Sequence, residues 1–549
     1  MTRRPLLEFN RTTHRNKPPY CIHFTNYGFS LVILTILGAI PVSATGTGFT
    51  DHGEDLQVSP PSLIEVDGNF RLRGESNYNF DLDRGLTPSG LPLYPVPLSD
   101  PSSQWLHSAD MRLRTDMRLY SPFGGVAVKM RIDLIDNLVL GGSPDGWPGA
   151  TTTQQDPAES VLHIKRAYAE VLTPFGLLAG GRMGSHWGLG MLTNGGDCPD
   201  CNSGDAADRV AFIIPTLGHL WAVAYDFSSV GPIVPRRDNQ RLLNVDPADD
   251  VHTFTFAVLS VRDDIARNRR RLAGKTTIEY GAYLSYRFQE KDVPASYLPA
   301  ASSNPLTASQ IMSRDLSAWA ADIHGRFTAP GVRIEAEFAV VFANIEQSSL
   351  IPGALLYDSI ESLQFGGVVE SEFGDPNDLV FGVDFGIASG DPDPGFGAFP
   401  GGTDAIAPKP GDLDGPQAVL PRDRHVHNFR FHPDYHIDRI LFREIIGTVT
   451  DAAYFRPHVR WRAIASAAGS LDLSLFGVAA WALYAESTPG TAHGLGVELD
   501  PGIRYHTRDG WDVNLEYAIL FPLDGLDNPV EKLDARVAQS ARLRFAVSF

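Results

Sequence analysis

The stretch IEVDGNFRLRGESNYNFDL, residues 64–82, alternates almost strictly. Ile64, Val66, Phe70, Leu72, Tyr78, Phe80 and Leu82 hold even numbers, while Glu65, Asp67, Asn69, Arg71, Arg73, Glu75, Asn77, Asn79 and Asp81 hold odd ones. Successive side chains of an extended chain point to opposite faces, so this is a strand with one apolar and one charged face. The same period recurs in 109–119, 126–134, 278–288, 332–342 and 513–521, with charge on the second face nearly throughout. A soluble sandwich also alternates, but its strands run to only about five or six residues.

The connections separate the two possibilities. Short turns (121–124, 173–176, 329–331, 375–377, 468–470 and 508–510) alternate with long polar loops at 83–103, 141–160, 193–208, 230–250, 291–315 and 522–535. Short turns on one rim and long loops on the other are the arrangement of an outer-membrane barrel, and in lipid every strand edge must be paired, so the sheet closes. The expected fold is all-β, a transmembrane antiparallel β-barrel spanning 63–549 with about 18 strands, within a range of roughly 16 to 20. Strand starts are expected near 63, 105, 125, 161, 176, 209, 219, 252, 276, 316, 332, 359, 378, 455, 471, 494, 511 and 536. Two segments depart from this scheme. DDIARNRRRLAGK, 263–275, sits where a short turn belongs and reads as a basic periplasmic helix or, preferably, a solvated turn extension. The stretch 391–454 reads as an insertion whose second half carries helical spacing at Ile437, Ile440, Leu441 and Ile445.

The chain opens with Arg3, Arg4, Arg11, Arg15 and Lys17, an apolar run from Gly28 to Val42, and the small residues Val42-Ser43-Ala44. This is the pattern of a cleaved signal peptide over 1–44, followed by a short periplasmic segment, 45–62, too small for a plug domain. Export to a Gram-negative outer membrane makes lipid and lipopolysaccharide the expected partners. The net charge of −19 argues against nucleic acid. Outside the reducing cytosol, Cys198 and Cys201 in NGGDCPDCNSGD are expected to form a local disulfide, because a metal site would need further ligands that the spacing does not supply. His425, His427, His432 and His436 cluster without a completing carboxylate or thiolate spacing, and the Asp-rich loop 194–208 does not follow the twelve-residue calcium pattern, so neither metal nor cofactor is expected. That acidic loop reads as solvated.

Neighbouring strands at the seam bring Arg71, Arg73, Arg112, Arg114, Arg118, Lys129, Arg131, Arg542 and Arg544 to one lumen wall, together with Glu65, Asp67, Glu75, Asp110, Asp116 and Asp133. Arg182, from GLLAGGRMG, is placed with them. Two readings stand side by side: an anion pathway of basic side chains, and a structural ladder in which each Arg pairs with a carboxylate across strands. Gly176, Gly180, Gly184, Gly188 and Gly190 make one face of the strand after 176 bare. Placed toward the lumen, they would let the 391–454 insertion approach the wall. Ser185 and His186 are adjacent, so on a strand they point apart and form no catalytic dyad; no enzyme activity is expected.

The C-terminal ARLRFAVSF, with Leu543, Phe545, Val547 and Phe549 on one face, resembles the last-strand signal of Gram-negative outer-membrane proteins, which implies recognition by the barrel assembly machinery. With RAYAEVLTPFGLLAGGRMGSHWGLG, 166–190, the chain resembles outer-membrane porins of the alginate-export and carbohydrate-porin type. That resemblance implies a channel for small hydrophilic, anionic or sugar-like solutes. The alternatives are a polysaccharide-export pore or a structural or adhesive barrel without an open path.

Overall fold

The computed structural model describes residues 48–49, 52–56, 62–141, 162–231, 233–235, 242–244, 246–262, 264–293, 311–348, 359–396, 408–415, 418 and 423–549. The expected targeting segment 1–44 lies outside them. Alternating sequence becomes strand as expected. The first nine barrel strands are β1 (Ile64–Tyr78), β2 (Trp105–Tyr120), β3 (Val126–Val139), β4 (His163–Thr173), β5 (Gly176–Gly184), β6 (Ala206–Thr216), β7 (His219–Ser229), β8 (Val251–Ser260) and β9 (Thr277–Asp292). The second nine are β10 (Met312–Ala329), β11 (Val332–Ile345), β12 (Ile360–Gly374), β13 (Leu379–Ala388), β14 (Ala452–Ala465), β15 (Gly469–Ala482), β16 (Gly494–Thr507), β17 (Trp511–Pro522) and β18 (Ala538–Ser548). These 18 strands form one sheet in which each pairs antiparallel with its sequence neighbours, and β18 closes onto β1 from Gln539 opposite Tyr78 to Ser548 opposite Asn69. The widest departure from the expected starts is β10, placed near 316 and beginning at Met312.

The sheet is a lipid-compatible cylinder. Its outward face exposes Val66, Phe254, Ile323, Phe381, Trp461 and Leu543, whereas the alternate positions of β1, Arg71 and Arg73, are 1% and 6% exposed. Aromatic pairs ring both rims, with Tyr78 and Trp105 5.0 Å apart at the long-loop end and Tyr505 and Trp511 5.5 Å apart at the short-turn end. An apolar wall with aromatic girdles and an inward polar face is stable in a bilayer and not in water. In place of the solvated turn extension, the connection from β8 to β9 forms helix α1, Asp264–Leu272.

Inward segments fill much of the lumen. The insertion packs Phe429, Phe431, Ile437, Ile440, Leu441, Phe442 and Ile445 against small wall residues such as Ala388, Ala452, Ala480, Ala518 and Ala538. A side chain at Gly366 would meet the Phe429 ring at 2.3 Å, so glycine is what permits that approach. The wall that receives the insertion therefore lies on the second half of the barrel, not on β5. The expected helix shrinks to one π turn, Leu441–Ile446, ended by Gly447 at φ 102°. The reason is visible at its start. Glu498 of the wall accepts the Arg439, Ile440 and Leu441 N–H groups at 2.8, 2.8 and 2.9 Å, and Asp438 accepts those of Phe442 and Arg443. Carboxylates thus take over the bonds a helix would have made with its own backbone.

The short-turn rim and the long-loop rim face opposite compartments. Introduced into cells as single cysteines, Ser102→Cys in the loop after β1 should react with a membrane-impermeant maleimide, and Phe123→Cys in the turn after β2 should react only after permeabilisation. The reverse pattern would invert the orientation.

Candidate functional site

The seam wall carries a charge pattern that two strands alone cannot satisfy. In register, Arg71 faces Arg112, Arg73 faces Arg544, Arg118 faces Lys129 and Arg131 faces Arg166. Like charges directly opposite one another destabilise a sheet. Some relief comes across strands: Arg114 grips Asp133 through two bonds of 2.7 and 2.9 Å, Arg131 grips Asp116 at 2.7 and 2.8 Å, and Arg73 donates to Asp110 at 2.8 Å.

The remainder comes from the loop 185–205, which turns into the lumen. Asp197 pairs with both Arg131 and Arg166, the latter at 3.1 Å. The Cys201 carbonyl accepts from Arg71 at 3.2 Å and Arg112 at 2.6 Å, the Gly196 carbonyl from Arg114 at 2.9 Å, and the Gly195 carbonyl from Arg166 at 2.6 Å. A disulfide joins Cys198 to Cys201, with Cα atoms 5.1 Å apart, and holds this turn in shape. Asp200 is the hub: Arg73, Arg439, Arg443 and Arg542 lie 3.2, 3.0, 2.6 and 2.9 Å from its oxygens. Burial alone would raise the Asp200 carboxyl, but Arg443, Arg542, Arg439 and Arg73 outweigh it and hold it well below the ordinary carboxylate range. Burial likewise raises Asp197, and Arg131 and Arg166 bring it down to about 2. The insertion locks onto the same loop, since Asp434 accepts the Asn202 and Ser203 N–H groups at 2.8 and 3.1 Å, and the His432 N–H reaches the Met191 carbonyl at 2.7 Å.

The short-turn end carries contacts of the same kind. From the segment before β1, Asp55 lies 2.9 Å from Lys129 and 3.9 Å from Arg118, and His52 meets Glu170 at 2.7 Å. Phe49 packs beneath the Arg209 guanidinium and joins an apolar cluster with Leu177, Ala179, Met183 and Trp187.

The structure gathers nine of the ten expected wall cations on the lumen side. Arg71, Arg73, Arg112, Arg114, Arg131 and Arg542 hold the central clamp, Arg118 and Lys129 lie toward the short-turn end, and Arg544 pairs with Asp512 at 3.3 Å. Arg182 is the exception. It points outward, half exposed, in a pair of 2.7 and 2.8 Å with Asp208. The loaded face of β5 turns inward instead, because Leu177, Ala179 and Met183 pack on the apolar cluster, so the glycine face looks out. Gly188 and Gly190 lie beyond the strand in a turn at φ 54° and 83°, the left-handed region that favours glycine. Ser185 and His186 are likewise loop residues, and the His186 ring accepts the Gly195 N–H at 3.3 Å. The acidic loop expected in solvent is the clamp itself. Sequence reasoning also missed Arg166, Arg439 and Arg443, which carry no distinguishing spacing.

The histidine cluster splits: the His425 and His427 rings stack 5.4 Å apart, whereas His432 lies beside Asp205 and His436 beside Asp434. Among the described residues one group, Asp391, Asp393 and Asp423, brings three carboxylates within 4.8 Å of one another, away from the clamp.

The fold and site define a closed, 18-stranded antiparallel barrel whose lumen is crossed by an arginine-anchored loop. No protein-family model and no curated protein matches the sequence. Among solved structures, it is similar to OccK9 (OpdG) of Pseudomonas aeruginosa, at 9% identity over 88% of this chain and 98% of that one, with a TM-score of 0.45. It is similar to OccK11 (OpdR) of the same organism at 9% identity, over 88% and 96% of the two chains, with a TM-score of 0.43. Against the outer membrane protein OmpT of Vibrio cholerae the identity is 10%, the coverage 90% and 100%, and the TM-score 0.32.

Removing one partner from a buried ion cluster costs about 3–5 kcal/mol, whereas an exposed pair is worth about 1 kcal/mol or less. Asp200→Asn should therefore lower the heat resistance of the folded barrel, while Asp208→Asn, which breaks only the outward Arg182 pair, should leave it unchanged. Equal effects of the two substitutions in a gel-shift melting assay would remove Asp200 from the centre of the site.

Proposed function

We propose that the protein is a channel of a Gram-negative outer membrane that passes small hydrophilic solutes, with a preference for anions. The observation that supports this most is the residual charge of the wall once the inward loops are counted. Arg71, Arg73, Arg114, Arg131, Arg166 and Arg542 each have a carboxylate within ion-pair reach, but among the described residues Arg112 meets only the Cys201 carbonyl at 2.6 Å and the Asn69 side chain at 3.5 Å. A guanidinium with no carboxylate in ion-pair reach, in a low-dielectric lumen, raises the local potential for a passing carboxylate or phosphate. Charges on outer loops sit in salty water with a Debye length of about 8 Å and matter less to an ion deep inside. Outer-membrane lipid and lipopolysaccharide surround the barrel in this reading, the strand ending at Phe549 addresses it to the assembly machinery, and no catalytic step is involved.

A second reading also has an observation behind it. Most wall arginines are paired and two inward segments are interlocked through Asp434, as in a structural or adhesive barrel without an open path. A polysaccharide-export pore shares the anion-lined path of the first reading and differs in cargo, so block by alginate oligomers distinguishes it.

Reversal potential in a salt gradient separates these. The channel reading expects an anion-selective conductance that falls or reverses in Arg112→Gln/Arg114→Gln/Arg131→Gln. A barrel with no conductance, or a triple variant that melts earlier with an unchanged reversal potential, would support the structural reading.

A further inference from the structure

We propose that α1 and its flanks form a docking surface for anionic phospholipid headgroups in the membrane leaflet on the short-turn side. The inference rests on the membrane-spanning reading of the barrel and adds a partner to it. On that rim the other connections are tight turns, as at 121–125, 174–175 and 508–510, whereas the chain between β8 and β9 builds a helix. Residues 262–275 carry six cations (Arg262, Arg267, Arg269, Arg270, Arg271 and Lys275) against two carboxylates, in a chain whose net charge is −19. So local a reversal of sign calls for a partner of the opposite sign.

The cations divide into two sets. Arg267 and Arg270 fasten the helix to the barrel, Arg267 through Glu279 at 2.7 Å and Arg270 through the Thr277 hydroxyl at 3.1 Å and the Thr276 carbonyl at 2.8 Å. The Glu279 carboxylate also accepts the Arg262 N–H at 2.7 Å, which fixes where the helix begins. Arg262, Arg269 and Lys275 are exposed, and their side chains have no ion pair among the described residues; Arg271 reaches only the amide oxygen of Asn268, at 3.0 Å. The first set thus holds the second in place at the rim.

The surface is continuous with the lipid belt. Leu272 at the end of α1 and Ile278 at the start of β9 are 65% and 63% exposed, so an apolar edge adjoins the free cations at the level where the hydrocarbon ends. Apolar side chains beside unpaired arginines fit a phospholipid, acyl chain to one and phosphate to the other. A soluble acidic protein would use the charge and leave Leu272 and Ile278 without a role.

The test titrates phosphatidylglycerol or phosphatidylcholine into the detergent-solubilised full-length barrel and counts lipid adducts by native mass spectrometry. Wild type should take up phosphatidylglycerol at least about tenfold more tightly than phosphatidylcholine, and Arg269→Gln/Arg271→Gln/Lys275→Gln should lose that preference. The control Arg536→Gln, an exposed arginine on the opposite rim, should keep it, and heat-modifiable gel migration confirms that each variant is folded. Equal binding by wild type and triple variant overturns the proposal. So does inorganic phosphate competing as well as the lipid does, which would make this a soluble-phosphate site. Protease protection in vesicles scores membrane insertion separately, so failure of the membrane reading is distinguishable from failure of this one.

Discussion

Four like-charged pairs facing one another across the seam, Arg71 with Arg112, Arg73 with Arg544, Arg118 with Lys129 and Arg131 with Arg166, set the terms for the rest of the lumen. Carboxylates on the strands themselves reach six of these eight cations, while Arg112 and Arg166 depend on acceptors that arrive from elsewhere. The loop 185–205 and the segment before β1 bring Asp197, Asp200, Asp55 and the Cys201 and Gly195 carbonyls to these positions. The fold of both inward segments is thus tied to the wall's electrostatics. The Cys198–Cys201 disulfide spans the turn whose Asp197, Asp200 and Cys201 carbonyl reach these arginines.

The other side of the lumen adds packing to its polar contacts. There the wall offers small residues such as Ala388, Ala452, Ala480 and Gly366, and the insertion supplies the bulk: Phe429, Phe431, Leu441 and Ile445 fill the space left over them. The two regimes meet at Asp434 and Arg439, which belong to the insertion and reach the clamp loop.

The sequence makes the strands legible because lipid on one side and charge on the other force a period of two, and the start expected near 316 is the widest miss, at Met312. The seam arginines are legible for the same reason. Arg182 is not. A period of two identifies two faces without saying which is inside, and β5 turns its apolar face inward because Phe49 and Trp187 make that part of the lumen apolar. The spacing of Ile437, Ile440, Leu441 and Ile445 correctly marks burial but not helix, since Glu498, far away in sequence, supplies the acceptors. Asp197 and Asp200 are the clearest limit. A polar loop reads identically whether it faces water or a row of arginines, and only the closed barrel brings the two together.

The wall holds the loop 185–205 in the lumen, and the coupling between Asp200 and Arg542 measures this directly. In a double-mutant cycle of Asp200→Asn and Arg542→Gln, followed by denaturant unfolding of the reconstituted barrel, a charge-assisted contact at 2.9 Å should give non-additivity of about 1.5–3 kcal/mol. Strict additivity, within about 0.5 kcal/mol, would mean that the two residues do not meet and that the loop lies outside the lumen.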